Sequence, residues 1–543
     1  MIAAWLANSV AQACGGFFCD NLQPVDQSGE DIVFAVKDGI VTTHVQIAYE
    51  GAADGFAWIL PVPGIPDVGL SSDSLFAALD RETRQDLRLA WVYEQSCNDA
   101  DADTDSDADS DADADITTYG TGLGVTVVSE AAVGPYESVV IQATDGAALV
   151  DWLQANGYGV PDALGDKMGP YLAPGMSFVA LKLLKDADVV AGTLAPLRVS
   201  WPGDRPSIPL TLTSVAAAED MPVTVYVLGQ ARAVPTNYLH VQLNPLGHDW
   251  FRDGTAPPAG ELLRRATDEA GGRAFTTIYA QPLPDHFWWA DSFVLDGLAE
   301  LTDPLAWLLA LPAHGFSGTS DVLGVLRIHL PAPEGVDEDD LYNLPNEYPD
   351  VWAALAPTFD AVAATADLEA RVVIPRQDIW AMFDANPYAT RLETAISPDE
   401  MSVDPQFAFN PDLPNVAPKL QADFHLDCGA EVTVEDGERW FVLPGGYTVP
   451  APTIRELGDQ GLGSWAWSQM GHAALVVEQL SDSGPGTLVA DHTAELVPPT
   501  PLGEGGDAAG GGGCGCAGPD APDGAGVALI GALALAVRRR RRG

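Results

Sequence analysis

The sequence predicts an α+β fold: a strand-rich body with several short isolated helices, a disordered acidic insert and a C-terminal hydrophobic sorting helix. Three observations carry this expectation. Apolar residues alternate along short runs bounded by turn signals. Helical stretches are short, capped and placed irregularly between the strands rather than in regular β–α alternation. Apolar residues make up 47% of the 543 positions, enough to fill extended cores.

The elements follow in order. Ile32, Phe34 and Val36 alternate before Lys37-Asp38-Gly39, and Val41, Val45 and Ile47 follow it, so 31–49 is a hairpin on an Asp-Gly turn. The run 56–61 (Phe-Ala-Trp-Ile-Leu-Pro) is a further strand. A helix over 72–83 is capped by Ser72, one over 147–156 stops at Gly157, and one over 260–270 stops at Gly271-Gly272. Asp303 followed by Pro304 starts another helix that runs to Leu311. Strands are expected at 178–184, 208–213, 223–228, 275–279 and 325–330. Ser397-Pro398-Asp399-Glu400 reads as a capping box, with Arg391 placed to pair with Asp399 or Glu400.

Charge excludes several functions. Against 77 Asp and Glu there are 26 Lys and Arg, a net charge of −51, which repels nucleic acid and anionic lipid; no nucleic-acid partner is expected. Part of this charge lies in the 99–115 insert, where Asp101, Asp103, Asp105, Asp107, Asp109, Asp111 and Asp113 alternate with small residues. Such a segment cannot build a core and is expected to be disordered. Asp-x-Asp-x-Asp opens calcium loops, but no glycine occurs before Gly120 to make the sharp turn. Weak cation binding, and no ordered metal site, is the expectation there.

Four cysteines outside the tail, Cys14, Cys19, Cys97 and Cys428, are disulfide candidates in an exported chain. Cys14–Cys19 with Cys97–Cys428 is the preferred pairing; Cys19–Cys97 remains open. His425, Asp427 and Cys428 lack the second pair of ligands that a zinc site needs. Trp58 and the pair Trp288-Trp289 near His286 could floor a sugar site, though core packing is the favoured role. No Gly-x-Ser-x-Gly elbow, phosphate-binding loop or His-Glu-x-x-His helix is present, so no catalytic residue or cofactor is assigned. The chain is read as leaning away from an enzyme.

The ends speak of sorting. Residues 1–13 are Ala-rich and close on Ala11-Gln12-Ala13, a signal-peptidase pattern, but lack a basic start, as a truncated signal peptide would. The 14–500 body, of one or two subdomains, leads through a Gly-rich linker at 501–513 into a tail at 514–543. There Cys514-Gly515-Cys516 precedes an apolar run from Ala525 to Val537 and then Arg538, Arg539, Arg540, Arg541 and Arg542. The run falls short of the ~20 apolar residues of a permanent span. The arginines fit a transient cytoplasmic stop.

Two resemblances follow from these residues. The tail resembles the MYXO-CTERM sorting signal. That resemblance implies proteolytic processing with lipid on Cys514 or Cys516, and display at the cell surface or outer membrane; the partners are signal peptidase, a sorting protease and the membrane. The phrases Ala13-Cys14-Gly15-Gly16-Phe17-Phe18-Cys19, Trp58-Ile59-Leu60-Pro61-Val62-Pro63, Phe178-Val179-Ala180-Leu181-Lys182-Leu183 and Pro387-Tyr388-Ala389-Thr390-Arg391-Leu392 resemble the domain of unknown function 2330 family. So do Ser397-Pro398-Asp399-Glu400-Met401 and Asp404-Pro405, placing the resemblance over about 14–495. It implies an exported body and no nameable activity. The function expected is a surface-anchored binding or structural ectodomain with an unknown extracellular ligand; a secreted carboxylate-dependent hydrolase on the same anchor is the alternative.

Overall fold

The computed structural model describes residues 17–18, 26–50, 57–94, 126–133, 136–158, 160, 163–173, 175–183, 196–284, 293–316, 320–427 and 437–496. The six cysteines, the acidic insert, Trp288, Trp289, His286, the leader and the sorting tail lie outside these residues. Among the described residues no helix is long and apolar enough to cross a membrane.

The fold is α+β and strand-rich. In chain order the first strands are β1 (Phe17–Phe18), β2 (Asp26–Lys37), β3 (Ile40–Glu50), β4 (Ala57–Pro63), β5 (Asp67–Leu70) and β6 (Asp86–Tyr93). Then come β7 (Thr126–Val133), β8 (Tyr136–Gln142), β9 (Met176–Leu183), β10 (Leu197–Pro202) and β11 (Met221–Gly229). The middle of the chain adds β12 (Ala233–Pro235), β13 (Leu239–Leu243), β14 (Ala274–Pro282), β15 (Tyr388–Ile396) and β16 (Phe407–Phe409). The last are β17 (Lys419–Asp427), β18 (Glu438–Leu443), β19 (Tyr447–Ala451), β20 (Ala474–Gln479) and β21 (Thr487–Asp491).

A ten-stranded sheet runs β21-β20-β13-β14-β15-β11-β2-β3-β10-β5, and a five-stranded sheet runs β1-β4-β9-β8-β7. Smaller sheets are β19-β18-β17-β6 and β12-β16. The β2/β3 hairpin turns on Asp38 (φ 51°) and Gly39 (φ 76°), both left-handed, the two-residue turn whose twist matches paired strands.

The two large sheets face each other. Ile32, Phe34, Val45 and Trp201 of the larger sheet share one core with Trp58, Leu60, Val62 and Leu181 of the smaller. Trp58, 6% exposed, packs in this core rather than offering a platform. The other face of the small sheet, through Ile59, Ile141 and Phe178, is covered by helix Gly146–Ala155 and the turn that follows it. The other face of the large sheet, through Val33, Ala35 and Leu228, is covered by helix Asp73–Thr83 and by Ile379 and Phe383 of helix Ile374–Ala385. The result is four layers, helix–sheet–sheet–helix.

The predicted caps are present. The Ser72 side chain accepts from Ser74 N, and Asp303 accepts from Leu305 N ahead of helix Pro304–Ala310. Two predicted strands are helices instead. Residues 208–213 form a helical turn at Leu210–Thr213, because Pro209 starts it and the segment packs Leu210 and Leu212 into two different cores. Residues 325–330 belong to helix Ser320–His329 and its end: Val322, Val325, Leu326 and Leu330 fall on one face of a helical cluster with Trp307 and Leu368. Their spacing is that of a helix stripe, which a short apolar run does not distinguish from a strand.

Candidate functional site

The strand β2 places Glu30 in phase with Ile32 and Phe34, on the face that meets the second sheet. Cross-strand neighbours keep that face: Phe34 pairs with Thr43, Ile32 with Val45, and Thr43 in turn with Val199. A carboxyl is therefore carried into an apolar interior. At the upper end of this interior the sheets part and leave a cavity of about 500 Å³. Its walls are Ile32, Phe34, Val45 and Trp201 from one sheet, Leu60, Pro61 and Met176 from the other, and Ile208 and Pro209 from the helical turn. Glu30 and Thr43 are its inner polar groups, while exposed Pro63, Arg205, Ser402 and Gln406 rim the mouth.

The polar groups differ in how they are satisfied. Glu30 Oε2 accepts from Gln27 Nε2 at 3.2 Å. Burial pushes its pKa from the ordinary 4.5 up to about 7; the Gln27 bond opposes the rise and neighbouring Asp31 adds to it. Near neutrality this carboxyl thus offers a donor as well as an acceptor. Thr43 is 4% exposed, and its Oγ1 has no hydrogen-bond partner. A buried hydroxyl without a partner costs roughly 1–3 kcal/mol.

Asp404 is the second carboxyl of the cavity, and both its oxygens are committed: Oδ2 accepts from Tyr171 OH at 2.6 Å and Oδ1 from Thr211 N at 2.9 Å. Burial first, and then Asp404 itself, raises the Tyr171 pKa, so the phenol stays protonated and donating. Asn237 Nδ2 donates to Asp404 O at 2.7 Å, and Tyr238 OH to Val403 O at 2.6 Å, which pins the rim segment. Arg205 at the mouth makes no ion pair among the described residues.

On the opposite face of the same sheet lies a cluster of charges. Arg391, 9% exposed, donates through Nη1 to Asp80 Oδ1 at 2.8 Å and through Nε to Glu393 Oε1 at 2.7 Å, with its guanidinium over the Tyr226 ring at 5.4 Å. Burial raises the nearby Asp31 pKa, opposed by a Thr224 hydrogen bond and by Arg391. Arg391 thus pairs with Asp80 and Glu393 rather than with Asp399 or Glu400, because β15 turns its side chain away from the loop that follows. In that loop Ser397 N donates to Glu400 Oε2 at 2.9 Å, the returning half of a capping box, but a turn and not a helix follows.

His425 is held by Glu94 Oε1 at 2.8 Å and stacks on Trp440 at 4.9 Å, while Cys428 of the same sequence trio lies outside the described residues. A different group has the geometry to hold a cation: ligand atoms of His472, His492 and Glu495 lie within 4.8 Å of one another. Neither this trio nor the cavity was singled out from the sequence. Glu30 had a legible signal, a carboxylate in phase with the Ile32/Phe34 stripe. The trio had a weak one, His492 and Glu495 three apart, where a search for histidines four apart finds nothing.

The fold and this site define a two-sheet α+β protein, flanked by helices, with an apolar pocket between the sheets. Residues 8–340 match the family described as "Uncharacterized protein conserved in bacteria (DUF2330)", and the chain belongs to that family. No curated protein matches the chain. Among solved structures, the crystal structure of baculovirus P35 is similar at 13% identity over 43% of this chain and 72% of that chain, with a TM-score of 0.21, too low to carry an argument.

Proposed function

We propose that this chain is an exported, surface-anchored binding protein that takes a small, mainly apolar ligand between its two sheets. The observation that carries this reading is the cavity of about 500 Å³, apolar on its walls, with the unpartnered Thr43 hydroxyl and the Glu30 carboxyl inside. That volume and that balance of surfaces suit small-molecule sites. The ligand's apolar body lies against Phe34, Val45, Leu60 and Trp201. A carbonyl or carboxyl on it meets Thr43 and protonated Glu30, or, in the opposite orientation, Arg205 at the mouth.

The hydrolase alternative draws on the raised Glu30 pKa, the usual mark of a general acid. It lacks a free partner, since Tyr171 and Thr211 occupy both oxygens of Asp404. Binding without turnover is therefore the favoured function.

The anchor rests on sequence: the signal-peptidase pattern at Ala11-Gln12-Ala13, and Cys514-Gly515-Cys516 followed by the apolar run and five arginines. The lipid attaches at Cys514 or Cys516, and the arginine tail is removed. Disulfides among Cys14, Cys19, Cys97 and Cys428 belong to the same exported state.

Two measurements test this. Titration with a fluorescent polyene fatty acid should give saturable, equimolar binding that Val45→Phe abolishes; binding unchanged by that substitution would remove the pocket from the proposal. Mass spectrometry of the protein from native membranes should find a lipidated cysteine and no peptide ending at Gly543. An intact C-terminus would refute the anchor while leaving the pocket standing.

A further inference from the structure

We infer that His472, His492 and Glu495 form a binding site for a zinc-like divalent cation at the end of the described body. The three come from separate elements that the sheet brings together. His472 precedes β20, His492 follows β21, and Glu495 closes the turn Thr493–Glu495. Because β20 and β21 are antiparallel neighbours, the start of one lies beside the end of the other, and His492 N donates to Leu475 O at 2.8 Å across that join.

The orientation of each group suits coordination. His492 Nδ1 lies 3.0 Å from the Ala474 carbonyl oxygen, which can only accept. Nδ1 therefore carries the proton, and Nε2 keeps its lone pair for a metal, the outer-shell arrangement typical of ligating histidines. His472 Nε2 is 3.4 Å from Glu495 Oε1. Two ligand atoms at ~2.1 Å from one ion in tetrahedral array stand ~3.4 Å apart. On its other side His472 Nδ1 faces Glu269 Oε2 at 3.8 Å. Glu269 is itself fixed, since Oε1 and Oε2 accept from Ala473 N and Ala474 N at 3.0 and 2.9 Å.

The backbone is also held. Asn244 Nδ2 donates to His472 O at 2.8 Å. Gly471 leaves room for the Glu495 carboxylate: a Cβ there would collide with Oε2. The two imidazole rings stack with centroids 3.7 Å apart and planes 26° apart, and one ligand atom of each lies within 4.8 Å of a Glu495 carboxylate oxygen. Two imidazoles and one carboxylate suit a borderline cation such as zinc better than calcium, with a fourth position open to water. Bound there, the ion would clasp β20, β21 and the last described turn at the point where the chain leaves for the Gly-rich linker.

The test uses the full chain with free thiols blocked and cobalt(II) as the probe. One equivalent should produce visible ligand-field bands of a low-coordinate, nitrogen-containing site, and zinc should bleach them. His472→Ala and His492→Ala should each abolish the bands, Glu495→Gln should weaken cobalt binding, and Glu269→Gln should weaken it ~10-fold as an outer-shell change does. Circular dichroism without metal keeps the variants interpretable; if an alanine variant is unfolded, the asparagine variant at the same position, His472→Asn or His492→Asn, replaces it. The oxygen-rich aspartate insert cannot give nitrogen ligation. Absent bands at one equivalent, or bands unaltered in both folded histidine variants, would overturn the assignment.

Discussion

The two faces of the ten-stranded sheet both carry carboxyl groups, and they treat them oppositely. On the outer face Asp31, Asp80 and Glu393 gather around one guanidinium, that of Arg391, which Tyr226 and Thr83 also touch. On the inner face Glu30 faces a mainly apolar cavity with one amide beside it, and Thr43 keeps an unpartnered hydroxyl. A buried charge surrounded by partners is a tie that holds helix Asp73–Thr83 to the sheet. A buried carboxyl short of partners is a place where something else can bind. Alternation along single strands creates the contrast: Glu30 and Asp31 are adjacent in sequence and point to opposite sides.

The largest expected effect is on the outer face. Arg391→Met should destabilise the protein by about 3 kcal/mol, the low end for a broken buried pair because Asp80 is partly exposed. Urea denaturation checks this; a neutral result would deny the network its structural role.

The inner face is best tested by pH. Because the Glu30 pKa is raised in the folded state, its contribution is fully present below about 4.5 and is lost as pH rises through about 7. The loss amounts to up to about 3 kcal/mol. Glu30→Gln should flatten that limb of the stability–pH curve and leave the acid limb in place. On the outer face His44, bonded to Ser71 Oγ at 2.7 Å, behaves with the opposite sign. Burial lowers its pKa to about 3, so its contribution is present above about 6.5 and is lost as pH falls through about 3. A Glu30→Gln variant with an unchanged neutral limb would contradict the contrast between the faces.

Two threonines sharpen the comparison at smaller scale. Thr83 Oγ1 donates to Leu79 O at 2.6 Å and accepts from Arg391, so Thr83→Val should cost about 1 kcal/mol. Thr43→Val removes an unpartnered hydroxyl and should be neutral or slightly stabilising, while weakening probe binding. Equal losses in thermal melts of the two variants would erase the distinction. A similarly small effect on stability is expected from Val45→Phe. In a filled core it would cost ~1–3 kcal/mol; into the cavity it should cost less than ~1 kcal/mol and still abolish binding.

Much of the architecture was legible because local signals and tertiary packing agree. The Asp38-Gly39 turn, the Ser72 and Asp303 caps and the strand expected at 56–61 all appear, the last as β4. Failures came where a short apolar run fits either period, as at 325–330, or where a proline and two cores decide, as at 208–213. The Arg391 partners were not legible, since Asp80 lies 311 positions away and only the sheet brings it near. The same holds for the cavity, whose walls come from strands far apart in the chain. Of the cavity's residues, Glu30 was readable in principle, by its phase.

The place of β15 sets a timetable for the chain. Tyr388–Ile396 sits between β14 and β11, bonded to both, and β17 likewise supplies β6 with its parallel partner. The family match ends at residue 340, before either strand. A fragment cut there leaves two long, hydrophobic strand edges open, the kind that pair with other chains. During synthesis those edges wait for β15 while 158 residues lie between the end of β11 at Gly229 and the start of β15 at Tyr388. Such distant pairing makes folding slow, and the early strands stay open to aggregation until β15 arrives.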